Sequence, residues 1–312
     1  MATSSNRLHT FVSSALGMCA RPLLEKVWPC ILRERLLQTS FEEKTMTSLF
    51  SGLRRALIIA PHPDDEFFGC PNLLLALGKS GVKVRLAVIL DGSGQASSCS
   101  ISRVDMSLNA ARLNGWDFAA MNWPDGFSRD PRYDIVEPLA KFLSPYFEGD
   151  QRVNLIILPI WCDYHSDHRA ITAAVLDILS KLPDRLECPD IVFYWTFAAP
   201  IRVPECARLI RIDSNRWTES IRNWRLQYGT VFSADAVDRN ELIRAAVSEA
   251  CWGKIGYETI FWVSGSHVNQ ACLEARADCP SCVNLNGSRI IIPNTIIHGL
   301  KTVLSKISDG RT

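Results

Sequence analysis

A large charge of either sign is missing from this chain. Its 34 Lys and Arg stand against 33 Asp and Glu, leaving a formal net charge of +1. That gives neither a nucleic-acid footprint nor a polybasic patch for a membrane surface. No uninterrupted apolar run approaches the ~18 residues that mark a spanning helix. Internal repeats and low-complexity tracts are absent as well. No secretory apolar core is expected either, because residues 1–20 hold Arg7, His9 and polar Ser and Thr around the short pieces Phe11-Val12 and Ala15-Leu16. The eleven cysteines are scattered and odd in number, so the expectation is a cytoplasmic protein with reduced thiols rather than a disulfide framework. What is present is an ordinary globular composition, 47% apolar and 21% charged, on 312 residues. That length suits one large α/β domain with extensions, or two modest domains.

Residues 1–50 read as a helical extension. Leu23, Leu24, Val27, Trp28, Ile31 and Leu32 recur at roughly helical spacing, interrupted by Pro29. Such a stretch is expected to pack on its own domain; with Lys26, Arg33 and Arg35 it also suits peripheral docking on a membrane. From residue 55 the pattern alternates. Strands are expected over Ala56–Ala60, Val82–Leu90, Phe118–Asn122, Val153–Pro159 and Ile191–Phe197. Between them, helices are expected over Cys70–Lys79, Arg103–Asn114, Ile135–Phe147 apart from Pro145, and His168–Leu182. Strands alternating with helices of this length predict a three-layer, Rossmann-like α/β fold with a mostly parallel sheet. Farther on, Trp217–Tyr228 and Asn240–Trp252 read as helices and Ile260–Val263 as a strand. Cys279-Pro280-Ser281-Cys282 has a metal-ligand spacing, but only His267 and Cys272 lie nearby, so free thiols are the expectation.

Two stretches carry chemistry. Pro61-His62-Pro63-Asp64-Asp65-Glu66 follows the apolar run Ala56–Ala60, and Asp163-Tyr164-His165-Ser166-Asp167-His168 follows Leu155–Pro159. In open α/β sheets, ligands bind where strands end at their carboxyl edge. Adjacent acids repel unless a cation or a proton relieves them. His62, Asp65 and His168 make a two-histidine, one-carboxylate set with an open face, which suits Zn2+, Fe2+ or another divalent ion. Water on such an ion has its pKa lowered towards ~7. Asp64 is placed to take the proton, and His165 to stabilise charge or protonate a leaving amine. Taken singly, the acids could be a helix cap and the histidines a solvated helix face. Two such sets, each at a strand end of one sheet, argue for a metal site.

The same residues resemble the PIG-L/LmbE family of zinc-dependent N-acetyl-sugar deacetylases, over about residues 55–262. The resemblance implies His62, Asp65 and His168 as zinc ligands, Asp64 as general base, and His165 as the group assisting the oxyanion or leaving group. It also implies substrate-binding roles for Arg103, twelve residues before Gly115, and for Asp125 in Trp-Pro-Asp-Gly. Met106 replaces a family glutamate, and a family Ser-Gln has no counterpart near Thr230-Val231, which leaves the substrate open. Tyr257-Glu258 with Phe261 resembles a late Glu-x-x-Phe element.

The expected protein is therefore a metal-dependent deacetylase of an N-acetylglucosamine-type conjugate, with residues 51–265 as its domain and residues 266–312 as a C-terminal extension packed on it. A small-molecule amidase and a non-catalytic sugar-binding member are the alternatives. Glu66 is expected to cap a helix or support a ligand histidine. Oligomeric state is not legible.

Overall fold

The computed structural model describes residues 49–93, 102–129, 134–163, 165–183, 186–196, 205–213, 244, 248 and 257–278. The helical stretch expected from Leu23 to Leu32 and the Cys279–Cys282 pair lie outside these residues. The helices expected over Trp217–Tyr228 and Asn240–Trp252 do too, except that Arg244 and Ser248 are each helical.

Seven strands form one sheet: β1 (Arg55–Ala60), β2 (Lys83–Leu90), β3 (Asp117–Trp123), β4 (Leu155–Pro159), β5 (Asp190–Tyr194), β6 (Arg208–Asp213) and β7 (Tyr257–Val263). Their spatial order is β3-β2-β1-β4-β5-β7-β6. The pairs β1–β2, β2–β3, β1–β4 and β4–β5 are parallel. β7 is antiparallel to both β5 and β6. The chain runs outwards from β1 to β3, then returns to the other side of β1 to start β4. This reversal opens a crevice at the carboxyl ends of β1 and β4, the place where such sheets bind ligands.

The core has two layers because side chains alternate across each strand. From β1, Leu57 and Ile59 face one layer, with Ile156 and Leu158 of β4. That layer is closed by α4 (Val136–Leu143), α5 (Ser166–Ser180) and α6 (Val268–Asp278), through Leu139, Ile171, Val175 and Ala271. Ala56, Ile58 and Ala60 face the other layer, beneath α1 (Asp65–Gly69), α2 (Pro71–Lys79) and α3 (Arg103–Leu113). Strands covered on both faces are continuously apolar, which is why they were legible as runs. At Gly69 a Cβ would lie 2.2 Å from Tyr194 Cδ2, so only glycine lets α1 rest on that buried ring.

Three of these elements were not anticipated: α1, which precedes the helix expected over Cys70–Lys79, and β6 and α6. β6 reads Arg-Leu-Ile-Arg-Ile-Asp, a short alternating edge strand recognisable only beside β7. α6 contains Leu273, exposed at 65%, which blurs its apolar stripe. The helix expected over Ile135–Phe147 ends at Leu143 and continues as a 3-10 turn over Ser144–Tyr146, since Pro145 has no N–H to extend it. Among the described residues no helix is long and apolar enough to cross a membrane.

Candidate metal centre

The first loop is shaped before any ion is considered. After Ala60 the chain turns at Pro61 to Asp64, and α1 starts at Asp65. The His62 N–H donates to Asp65 Oδ2 at 2.8 Å, and the Asp64 N–H to Glu66 Oε2 at 3.0 Å. Asp64 sits at φ +111°, a conformation that non-glycine residues adopt only when their surroundings enforce it. Such strain is concentrated at functional sites. Glu66 thus fastens the turn, with Ser107 Oγ donating to its other oxygen at 3.0 Å.

The second loop brings His168 across the crevice. His62 Nδ1, Asp65 Oδ2 and His168 Nε2 form a triangle with sides of 3.3, 3.0 and 3.2 Å. A tetrahedral ion with bonds of ~2.0–2.1 Å holds its donors roughly 3.3 Å apart, and an octahedral one at ~2.1 Å holds them roughly 3.0 Å apart. The donor set therefore fits a divalent cation in both kind and spacing. His62, His165 and His168 form a wider group, whose donor atoms lie within 4.8 Å of one another.

Charge in the cavity is organised around these atoms. Burial opposes a charge on His62, yet Asp167 and Asp65 hold its pKa up at about 9. His168 is likewise buried, and Asp65 and Asp163 push it well above its usual value. Burial works against ionised Asp65, but the two imidazoles hold it well below the ordinary carboxylate range. His165 is the exception: burial and the neighbouring His168 and His62 bring it down to about 4. Its ring centroid lies 4.6 Å from that of His62 and 4.9 Å from that of His168. Its Nδ1 caps α5 by accepting from the Asp167 N–H at 3.3 Å, which leaves Nε2 to carry the proton of the neutral ring.

Residues 57–179 match the PIG-L family, described as GlcNAc-PI de-N-acetylase. A curated relative, diacetylchitobiose deacetylase of Thermococcus kodakarensis, is 25% identical over 136 residues, covering 38% of this chain and 47% of that protein. The chain thus spans about half the length of the curated relative it matches. N,N'-diacetylchitobiose deacetylase from Pyrococcus horikoshii superposes with a TM-score of 0.55 at 20% identity, over 78% of this chain and 94% of that one. A conserved protein of Thermus thermophilus gives 0.53 at 21% identity, over 67% and 93% of the two chains. A 4-carboxy-2-hydroxymuconate hydratase from Pseudomonas putida gives 0.52 at 12% identity, over 68% and 96%. At these identities the likenesses show a shared fold.

Within the matched segment, the residues singled out in the sequence lie together. Arg103 is buried and donates from Nη2 to Asp64 Oδ2 and, at 3.1 Å, to the Pro63 carbonyl. Burial and two nearby carboxylates push Asp64 above its usual pKa, against the pull of Arg103. Asp125 Oδ1 accepts from the Gly92 N–H at 3.1 Å and lies 4.0 Å from His62 Nε2.

Three acids were not assigned these roles in advance. Asp167 Oδ2 lies 3.4 Å from His62 Nε2 and accepts from the Gly126 N–H at 3.0 Å. Asp163 Oδ1 lies 3.2 Å from His168 Nδ1. The signal for both was their place in the same hexapeptide as His168, since ligand histidines commonly turn their outer nitrogen to a carboxylate. Glu258 lies outside the crevice contacts: on β7, it accepts from the N–H groups of Asn72 and Leu73, each at 3.0 Å, and so caps α2.

Proposed function

We propose that this chain is a metal-dependent hydrolase removing an N-acetyl, or related N-acyl, group from an N-acetylglucosamine-type sugar or its conjugate. One observation carries the reading: the triangle of His62 Nδ1, Asp65 Oδ2 and His168 Nε2, 3.0–3.3 Å on a side, next to a buried Asp64. The PIG-L match and the chitobiose deacetylases support the choice of reaction. Fold alone does not choose, because a hydratase shares it.

His62, Asp65 and His168 are the residues that would hold the ion, Zn2+ or another divalent cation such as Fe2+. Such an ion supplies Lewis acidity, lowering the pKa of water and polarising an amide carbonyl. Asp64 takes the proton of the attacking water, its carboxylate oriented by Arg103 and its backbone by Glu66. His165 presents Nε2–H as a hydrogen-bond donor to the oxygen that gains charge, and the proton taken up by Asp64 passes to the departing amine. Arg103 and Asp125 are assigned to the sugar. Residues 51–265 form the catalytic unit in this reading, between extensions over 1–50 and 266–312.

Acetate release from the Zn2+-loaded full chain tests the reading, across N-acetylglucosaminyl lipids, nucleotide sugars and glycoside conjugates. Asp64→Asn is expected to lose ~10²–10⁴-fold in kcat with its metal content unchanged. Wild-type turnover in that variant overturns the base assignment. Hydrolysis of small non-sugar amides alone makes the chain an amidase instead.

A further inference from the structure

We infer that Asp163 is a positioning residue of this centre, a single buried carboxylate that aligns the ligand His168 and the backbone of His165 together. The inference rests on the metal-centre reading above. Asp163 closes the loop after β4, where its own N–H donates to the Ile160 carbonyl at 3.0 Å. Its side chain is almost wholly buried. Oδ1 accepts from the His165 N–H at 2.9 Å and stands 3.2 Å from His168 Nδ1. Oδ2 accepts from Thr196 Oγ1 at 3.3 Å, just beyond the end of β5. The Asp163 carbonyl accepts from Arg169 Nη1 at 2.7 Å, which ties the loop to the first turn of α5.

His168 explains why this matters. The ring is 1% exposed, and Nδ1 makes no hydrogen bond of good geometry; the approach of Asp163 is close but bent. A buried ring N–H requires a partner, and Asp163 Oδ1 is the carboxylate oxygen that faces it. A proton kept on Nδ1 by Asp163 leaves the Nε2 lone pair for the triangle with His62 and Asp65. Thr196 fixes the opposite oxygen, so the carboxylate is held from β5 while it steers a ligand on α5. Loop closure by itself would need only the Asp163 bond to the His165 N–H, an Asx-type turn of ordinary kind. A role confined to that turn leaves metal affinity unchanged once the chain is folded.

The test uses the metal-stripped full chain, titrated with Co2+ and then with Zn2+ against a chromophoric chelator. Asp163→Asn keeps one neutral acceptor oxygen for the turn and is expected to unfold thermally like the metal-free wild type. It is expected to bind Zn2+ about 10–100-fold more weakly and to shift the visible Co2+ bands. Thr196→Val is expected to move both readouts the same way by less, and it carries the comparison if Asp163→Asn does not fold. Wild-type affinity and unchanged Co2+ bands in Asp163→Asn overturn this inference alone. Failure of the wild-type chain to bind either ion, with His168→Ala indistinguishable from it, overturns the metal-centre reading and this inference together.

Discussion

Gly92 uses conformation and space at once. Its φ is +73°, and a Cβ there would lie 3.2 Å from Arg103 Cβ and 3.3 Å from Arg103 Cδ and Pro63 Cγ. Its N–H also holds Asp125. Gly92→Ala therefore presses on Arg103 and Asp125 together while leaving His62, Asp65 and His168 untouched. The expected outcome in steady-state kinetics on a hydrolysed N-acetylglucosaminyl conjugate is a KM raised roughly tenfold, with metal content unchanged and stability lower by ~1 kcal/mol. An unchanged KM would detach these two residues from the sugar. In the sequence Asp91-Gly92-Ser93-Gly94 reads as the turn that ends the second strand, but what crowds Gly92 is not legible there, because its neighbours include a residue 11 positions away and another 29 away. His62 and Asp65 could be singled out for the opposite reason: an imidazole and acids packed into six residues are costly to hold together without a cation or a proton.

At the scale of elements, α2 begins at Pro71, whose missing N–H costs nothing at a helix start. Its next N–H groups are satisfied from β7 by Glu258, which also accepts from Asn72 Nδ2 at 3.0 Å and Arg244 Nη1 at 3.3 Å. Arg244 in turn donates to the carbonyls of Phe68 and Gly69 at the end of α1 and stacks 5.3 Å from the Trp195 ring centroid. The network ties the helix that starts at Asp65 to the antiparallel part of the sheet. Glu258→Ala removes the carboxylate beside the buried Arg244 guanidinium and leaves α2 uncapped, so chemical denaturation is expected to register a loss of ~3–5 kcal/mol. Glu258→Gln, which keeps an acceptor, is expected to lose less; equal losses would show that the charge contributes everything. The strands and helices around this network could be anticipated from apolar runs and stop signals. Its partner could not, because Glu258 meets Asn72 across 186 residues.

Across the whole molecule, the centre joins loops from β1 and β4, so ion binding links halves of the chain that are otherwise tied through the sheet. An ion that binds only the folded state stabilises it by RT ln(1 + [L]/Kd), about 4 kcal/mol at a thousandfold excess over Kd. Thermal unfolding of the metal-stripped chain is expected to move several degrees higher on adding Zn2+ and to return on adding chelator. His168→Ala is expected to abolish that shift, and a shift that survives would place the ion elsewhere. By itself the sequence determined the alternating α/β order, the two strand-end motifs and which side chains could offer donor atoms. Those are local: periodicity sets which residues a strand buries, and chemical type sets which atoms bind a cation. Tertiary structure alone decided the 3.0–3.3 Å triangle, the contact of Arg103 with Asp64, the placing of Asp163 and Asp167 behind the histidines, and the cap of α2 by Glu258. Each depends on strand order and register, which bring together residues about 40 to nearly 190 positions apart, or on the turn of a loop that spacing leaves open.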